Sequence, residues 1–309
     1  MKNLFANLQK KLEPIKTSRW KSFCVVAAIY LAAIALGVLI YLVLPAHFSF
    51  WVKLLIADTL ATVFVFLFSL FFDNASVYDP YWSVQPPVIL TAFVIYYGAN
   101  LLGIFLLIAV WFWAIRLTAN WAYTFQGLSH QDWRYTMLAE KTGKLYPLVN
   151  FVGIHFVPTL IVYFCTLPAV HAVREGFEAN VFSILFCLFG VLFACLQGVA
   201  DFQMHTYRKD RKTTFCEKGL WKYARHPNYL GEIGMWWSIG FAVFFSSFAH
   251  WYLLCGALLN TLLFIFISIP MADERQAKKE GFAAYKEDTR MLLPIPKFRI
   301  SVKITVKKK

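Results

Sequence analysis

The 309-residue chain is 59% hydrophobic and 18% aromatic but only 15% charged, too poor in polar side chains to cover a water-soluble globule of this size. Its formal net charge of +13 would suit a polyanion, yet the Lys and Arg residues sit in short segments beside long apolar runs, the pattern of membrane topology. Nucleic acid is therefore excluded as a partner, and membrane lipid is expected as the solvent. Cys24, Cys165, Cys187, Cys195 and Cys255 lie inside apolar runs, Cys216 stands in a polar loop, and no CxxC pair occurs. Neither a disulfide framework nor a metal site is expected.

In chain order, a basic segment (1–22) carries Lys2, Lys10, Lys11, Lys16, Arg19 and Lys21 and leads into an apolar run over 23–44. That run is too long for a signal-peptide core and has no small-residue cleavage site, so it reads as a retained first span. Further runs follow at 54–72, 81–97, 101–117, 148–168, 181–200, 232–248 and 251–269, most near the roughly 20 residues a helix needs to cross a bilayer core of about 30 Å. The third is the weakest, because Pro86 and Pro87 must fall in its first turns or break it.

Charge parity nevertheless requires it. With eight spans, one side collects six Lys/Arg before residue 23, three in 118–147, seven in 201–231 and eleven after Pro270, against Lys53 and Arg174 on the other. Merging the third and fourth runs would put the basic N-terminus and the basic 201–231 loop on opposite faces. The sequence thus predicts an all-α, polytopic transmembrane helix bundle of about eight spans, with both termini cytoplasmic. No repeat or low-complexity linker divides it, and the Lys-rich tail (298–309) reads as a solvated or headgroup-facing segment.

Chemistry concentrates in the polar loop between the sixth and seventh spans. It holds Asp201, His205 and Arg208, a basic stretch, and then Gly-Leu-Trp-Lys-Tyr-Ala-Arg-His-Pro-Asn-Tyr-Leu-Gly-Glu at 219–232. Pro227 and Gly231 shape the turn into a helix whose N-terminus, preceded by Arg225 and His226, suits phosphate groups. A positive-inside loop with an ordinary cap would look similar. Glu232 favours the functional alternative, since a carboxylate where an apolar span begins is costly unless paired or used. Near the last span, Asp273 and Glu274 read as balancing charges or as ligand groups. No GxGxxG or Walker sequence is present, so a nucleotide would not sit in a Rossmann or P-loop cradle.

The 219–232 sequence, with Ile-Pro-Met-Ala-Asp-Glu-Arg at 269–275 and Pro-Ile-Pro-Lys at 294–297, resembles the bacterial branch of the steroid 5α-reductase superfamily (DUF1295-type membrane proteins). Upstream, Tyr-Asp-Pro-Tyr-Trp-Ser at 78–83, Arg116 to Trp121 and Gln-Asp-Trp-Arg-Tyr at 131–135 carry the same likeness. It covers roughly residues 55–297, so 23–54 reads as an extra N-terminal span and loop ahead of a seven-span core. The likeness implies an integral protein of the bacterial inner membrane that reduces a carbon–carbon double bond conjugated to a ketone in a lipid-like, steroid- or isoprenoid-type substrate. The hydride would come from NADPH.

Matched residue by residue, the resemblance puts Asp201, Arg208, Asn228, Glu232 and Glu274 around the cofactor. Arg225, His226, Tyr229, Arg116 and Asn120 join them by their place in or beside the same motifs. Polarising the ketone needs an acid, for which the likeness offers Asp79 with Tyr78. The tyrosine expected just ahead of Arg116 is here Trp113, and Asp58 is a second carboxylate candidate that the topology places toward the outer leaflet. The Arg-His-Pro-Asn-Tyr-x-Gly-Glu element is also similar to membrane methyltransferases of isoprenylcysteine and phospholipids, making S-adenosylmethionine the alternative cofactor. Those enzymes have fewer spans and a Glu-Glu pair after the last helix. A transporter or scaffold lacks any broken-helix repeat pair.

Overall fold

The computed structural model describes residues 2–98, 100–211 and 213–297, so the basic tail 298–309 lies outside the described residues. The chain is helical, with no strand among the described residues. An amphipathic α1 (Lys2–Lys16) is followed by α2 (Arg19–Val43) and α3 (Phe50–Phe72), then α4 (Tyr81–Tyr97) and α5 (Leu101–Thr124). Next come α6 (Trp133–Thr142), the short α7 (Tyr146–Val149) and α8 (Val157–Glu175). The long α9 (Val181–Asp210), α10 (Pro227–Ser246), α11 (Cys255–Leu263), α12 (Ile269–Ala277) and α13 (Phe282–Asp288) complete the order.

Among the described residues, six helical runs are long and apolar enough to cross a membrane: Arg19–Val43, Phe50–Phe72, Leu101–Thr124, Trp133–Glu175, Val181–Asp210 and Phe248–Ala277. The two other expected spans are helical as well, but α4 has 17 residues and α10 opens with Asn228, Gly231 and Glu232. Pro86 and Pro87 do not break α4, which runs through both. Prolines act elsewhere on the helices. The π-helical stretches Asn150–Phe156 and Phe264–Ser268 each stop just short of Pro158 and Pro270, where the missing N–H and the bulk of the ring open the preceding turn.

The described residues form two compact units: those up to Val191 with Met235–Asn260, and Leu192–Gly234 with those from Thr261. In the first, α2 packs on α3, and α8 packs on α3, α4 and α5. Val65, Leu90, Leu102, Leu106 and Trp113 are fully buried there. Gly256 lets α11 lie against α8, since a Cβ there would collide with the Phe164 backbone. In the second unit the C-terminal half of α9 meets the first turns of α10. A Cβ on Gly231 would approach the Phe193 carbonyl to 2.7 Å and the Gln197 Cβ to 2.6 Å, so only glycine allows this contact.

Candidate functional site

The second unit gathers most of the residues singled out in the sequence. On α9, Gln197 and Asp201 lie four residues apart and face α10, where Asn228 and Glu232 repeat that spacing. The rungs match: Gln197 Nε2 donates to Glu232 Oε2 at 2.9 Å, and Asn228 Nδ2 donates to Asp201 Oδ1 at 3.3 Å. Glu232 is 1% exposed, and its carboxylate is held by a carboxamide from the neighbouring helix, which offsets the cost of burying it. Asp201 and Asn228 are half-buried and stand nearer the helix ends.

Asp273 of α12 collects Arg225 and His226 of the 219–232 loop and Lys286 of α13. His226 Nε2 lies 2.9 Å from Asp273 Oδ1, Arg225 reaches Asp273 Oδ2 at 3.3 Å, and Lys286 reaches it at 3.2 Å. Arg225 also donates to the Lys286 and Thr289 carbonyls. The loop is anchored by the backbone as well, with Arg225 N–H donating to Arg290 O and Arg290 N–H to Tyr223 O. The His226 ring stacks on Tyr229 at 5.2 Å, and Tyr229 meets Phe264 at 4.8 Å. Glu274, which the resemblance places near the cofactor, is exposed, while its neighbour Asp273 is buried and organises the loop.

A basic cluster borders this framework. Arg208 is exposed, and its guanidinium makes no hydrogen bond or ion pair among the described residues. Burial, together with the charges of Arg275, Arg211 and Arg208, holds the Lys279 ammonium below its ordinary value. Positive charges whose fields overlap at Lys279 favour an anion nearby. The sequence reading named Arg208 alone; Arg211, Arg275 and Lys279 stand in separate segments, and only folding shows that their fields overlap.

The remaining candidates belong to the first unit. Two motif segments noted in the sequence are joined there: Ala75 N–H donates to Gln131 Oε1 at 2.8 Å, Asp132 N–H to Ser76 Oγ at 2.9 Å, and Tyr135 Oη to Asp79 Oδ1 at 2.6 Å. Asp79 lies in the connection between α3 and α4. Burial pushes its carboxyl up to about 6, against the pull of Arg134 and of the Tyr135 hydroxyl. Tyr78 is buried, its hydroxyl 2.8 Å from Thr159 Oγ1. Arg116 and Asn120 share a half-buried face of α5. Trp113, at the position where a tyrosine was expected, is fully buried with its ring edge-on to Trp236 at 4.8 Å. Asp58, the second carboxylate candidate, accepts from Tyr81 Oη and Gln85 Nε2, each at 3.0 Å.

A family described as "Protein of unknown function (DUF1295)" matches residues 65–289. The chain belongs to this family. The match takes in both motif groups, from Asp79 to Glu274, and leaves α1, α2 and Asp58 outside. An uncharacterized protein of Schizosaccharomyces pombe is 28% identical over 200 residues, covering 55% of this chain. The chain spans 58% of that relative's length. No solved structure matches the chain.

Proposed function

We propose that this DUF1295 chain is a membrane-embedded, NADPH-dependent reductase of a conjugated carbon–carbon double bond in an apolar, lipid-like substrate. The observation that carries this reading is the pairing of Asp201 with Asn228 and of Gln197 with Glu232 beside the Arg208, Arg211, Arg275 and Lys279 cluster. The donor set fits a dinucleotide phosphate. Arg208 and its basic neighbours would oppose phosphate oxygens, while Asp201 and Asn228 offer an acceptor and a carboxamide to hydroxyl or amide groups. Bound there, NADPH would supply the hydride.

The chain's own contribution is orientation and proton supply. Glu232, locked by Gln197, fixes the rung above Asn228, and the Asp273 hub fixes the Arg225–His226 turn. Asp79, with a carboxyl that stays protonated to about pH 6, is the group of the first unit suited to giving a proton to a developing oxyanion. In detergent, NADPH should raise the melting temperature of the purified protein and S-adenosylmethionine should not, because a ligand that binds only the folded state stabilises it. Stabilisation by the methyl donor alone would replace the reductase reading with the methyltransferase one. Within the NADPH reading, Arg208→Ala and Lys279→Ala should each weaken NADPH by about 1–3 kcal/mol, the size of a charged hydrogen bond.

A further inference from the structure

A cavity of about 370 Å³ lies among α2, α3 and α4 of the first unit, within the size range of small-molecule sites. Small residues, Ala33 and Gly37 of α2 and Ala57 and Ala61 of α3, form part of its wall. A Cβ on Gly37 would meet nothing closer than the Ala61 Cβ at 3.8 Å. Val38, Leu42 and Tyr96, all exposed, mark its mouth, and Tyr30, Ala61 and Tyr81, all buried, mark its blind end. Apart from that end and from Lys53, whose ammonium lies 4.9 Å from the Tyr41 ring, the wall is apolar and aromatic.

There, Asp58 and Gln85 are 5% and 7% exposed. The Tyr81 hydroxyl and the Gln85 Nε2 both donate to Asp58, and the Tyr30 hydroxyl is committed to the Val77 carbonyl. Gln85 Oε1 is buried with no hydrogen-bond partner among the described residues. An unmatched acceptor is expensive in any interior, and more so in hydrocarbon, where no bulk water can reach it. The polar end therefore has one unmatched acceptor, Gln85 Oε1, while the Tyr30 and Tyr81 hydroxyls and the Gln85 amide nitrogen each already donate a hydrogen bond. It suits a ligand that brings a hydrogen-bond donor.

We propose that this cavity binds an apolar alcohol, its chain along the α2 and α4 walls and its hydroxyl donating to Gln85 Oε1. The proposal goes beyond the reductase reading, which calls for a ketone. The α2 lining, and the α3 lining up to Ala61, also precede residue 65, where the family match begins. The site belongs in large part to the N-terminal elements outside that match.

The test is photolabelling of detergent-purified, full-length protein with a diazirine-bearing farnesol, with farnesol and farnesyl methyl ether as competitors and labelled peptides located by mass spectrometry. Label is expected on lining residues such as Ile34 and Val88, displaced about tenfold better by the alcohol than by the ether, the order of one hydrogen bond to a buried acceptor. Gln85→Met should abolish that preference. Since this change also strips Asp58 of a donor, its melting temperature is measured alongside, and the wild-type alcohol-to-ether comparison stands without it. Equal competition by the two compounds, no competable label, or label spread over the exposed faces at Leu31, Leu39 and Ile95 would overturn the proposal. Stabilisation by NADPH is read in a separate experiment, so the two readings fail independently.

Discussion

Asp79 sits under two demands at once. Its carboxyl is raised from an ordinary 3.8 to about 6, chiefly by burial, so between about pH 4 and pH 6 the folded chain holds a proton that the unfolded chain has released. Stability contributed by this group is therefore highest below pH 4, falls as pH rises through that window, and stays reduced above it. Asp79→Asn should raise the melting temperature at pH 7.5 and flatten the dependence between pH 4 and 6, since the amide oxygen still accepts from Tyr135. If Asp79 supplies the proton, the same variant loses turnover while gaining stability; retained turnover in the stabilised variant would remove it from the chemistry. Glu232 presents the opposite case. Glu232→Gln keeps an acceptor for Gln197 and should leave the fold largely intact, while weakening NADPH by about 1–3 kcal/mol if the carboxylate charge serves the cofactor. Titration of NADPH into wild-type, Glu232→Gln and Asn228→Ala proteins separates the roles: unchanged affinity in both folded variants takes this helix face out of the site.

Between elements, the contact of α9 with α10 decides whether the rungs exist. Gly231→Ala would drive a Cβ into the Phe193 carbonyl and Gln197, separating helices whose spacing sets the 2.9 Å and 3.3 Å rungs. It should cost about 1–3 kcal/mol of stability and weaken NADPH in parallel, measured by thermal melts with and without the nucleotide. A melt unchanged from wild type would show that the helices can separate without cost. Apolar length made the helices legible in the sequence, and Glu232 stood out because a carboxylate at a span boundary has few innocent explanations. Its partner was not legible. Gln197 lies 35 residues upstream inside an apolar run, and a hydrogen bond across helices leaves no periodic trace. The Asp273 hub was not legible for a related reason: adjacent residues on a helix point about 100° apart, and composition does not say which of Asp273 and Glu274 faces inward. Asp58 with Gln85 was legible only in part, since the prolines beside Gln85 made α4 look unreliable, and small residues in two other helices form part of the cavity wall.

Across the whole molecule, the number of crossings has a local readout. Six crossings by the six longest apolar runs and eight crossings that add α4 and α10 both return the C-terminus to the side of the N-terminus. They differ in between. If α4 and α10 do not cross, the 201–231 loop is exported away from both termini; if they do, it shares their side. Eighteen of the 30 Lys/Arg lie in this loop and after Pro270, and short loops with that bias are retained on the cytoplasmic side. The expected outcome is eight crossings, with α4 accommodated at 17 residues by local bilayer thinning or flanking adjustment and α10 tolerating Glu232 because Gln197 holds it. Reporter fusions, or single-cysteine labelling with a membrane-impermeant maleimide in a background lacking the six native cysteines, should place residue 214 and the tail on the cytoplasmic face and Lys53 on the other. Labelling of residue 214 from outside would fix the count at six. It would also strand Arg208 and Arg225 on the face away from cytosolic nucleotide, and the reductase reading would fall with the topology.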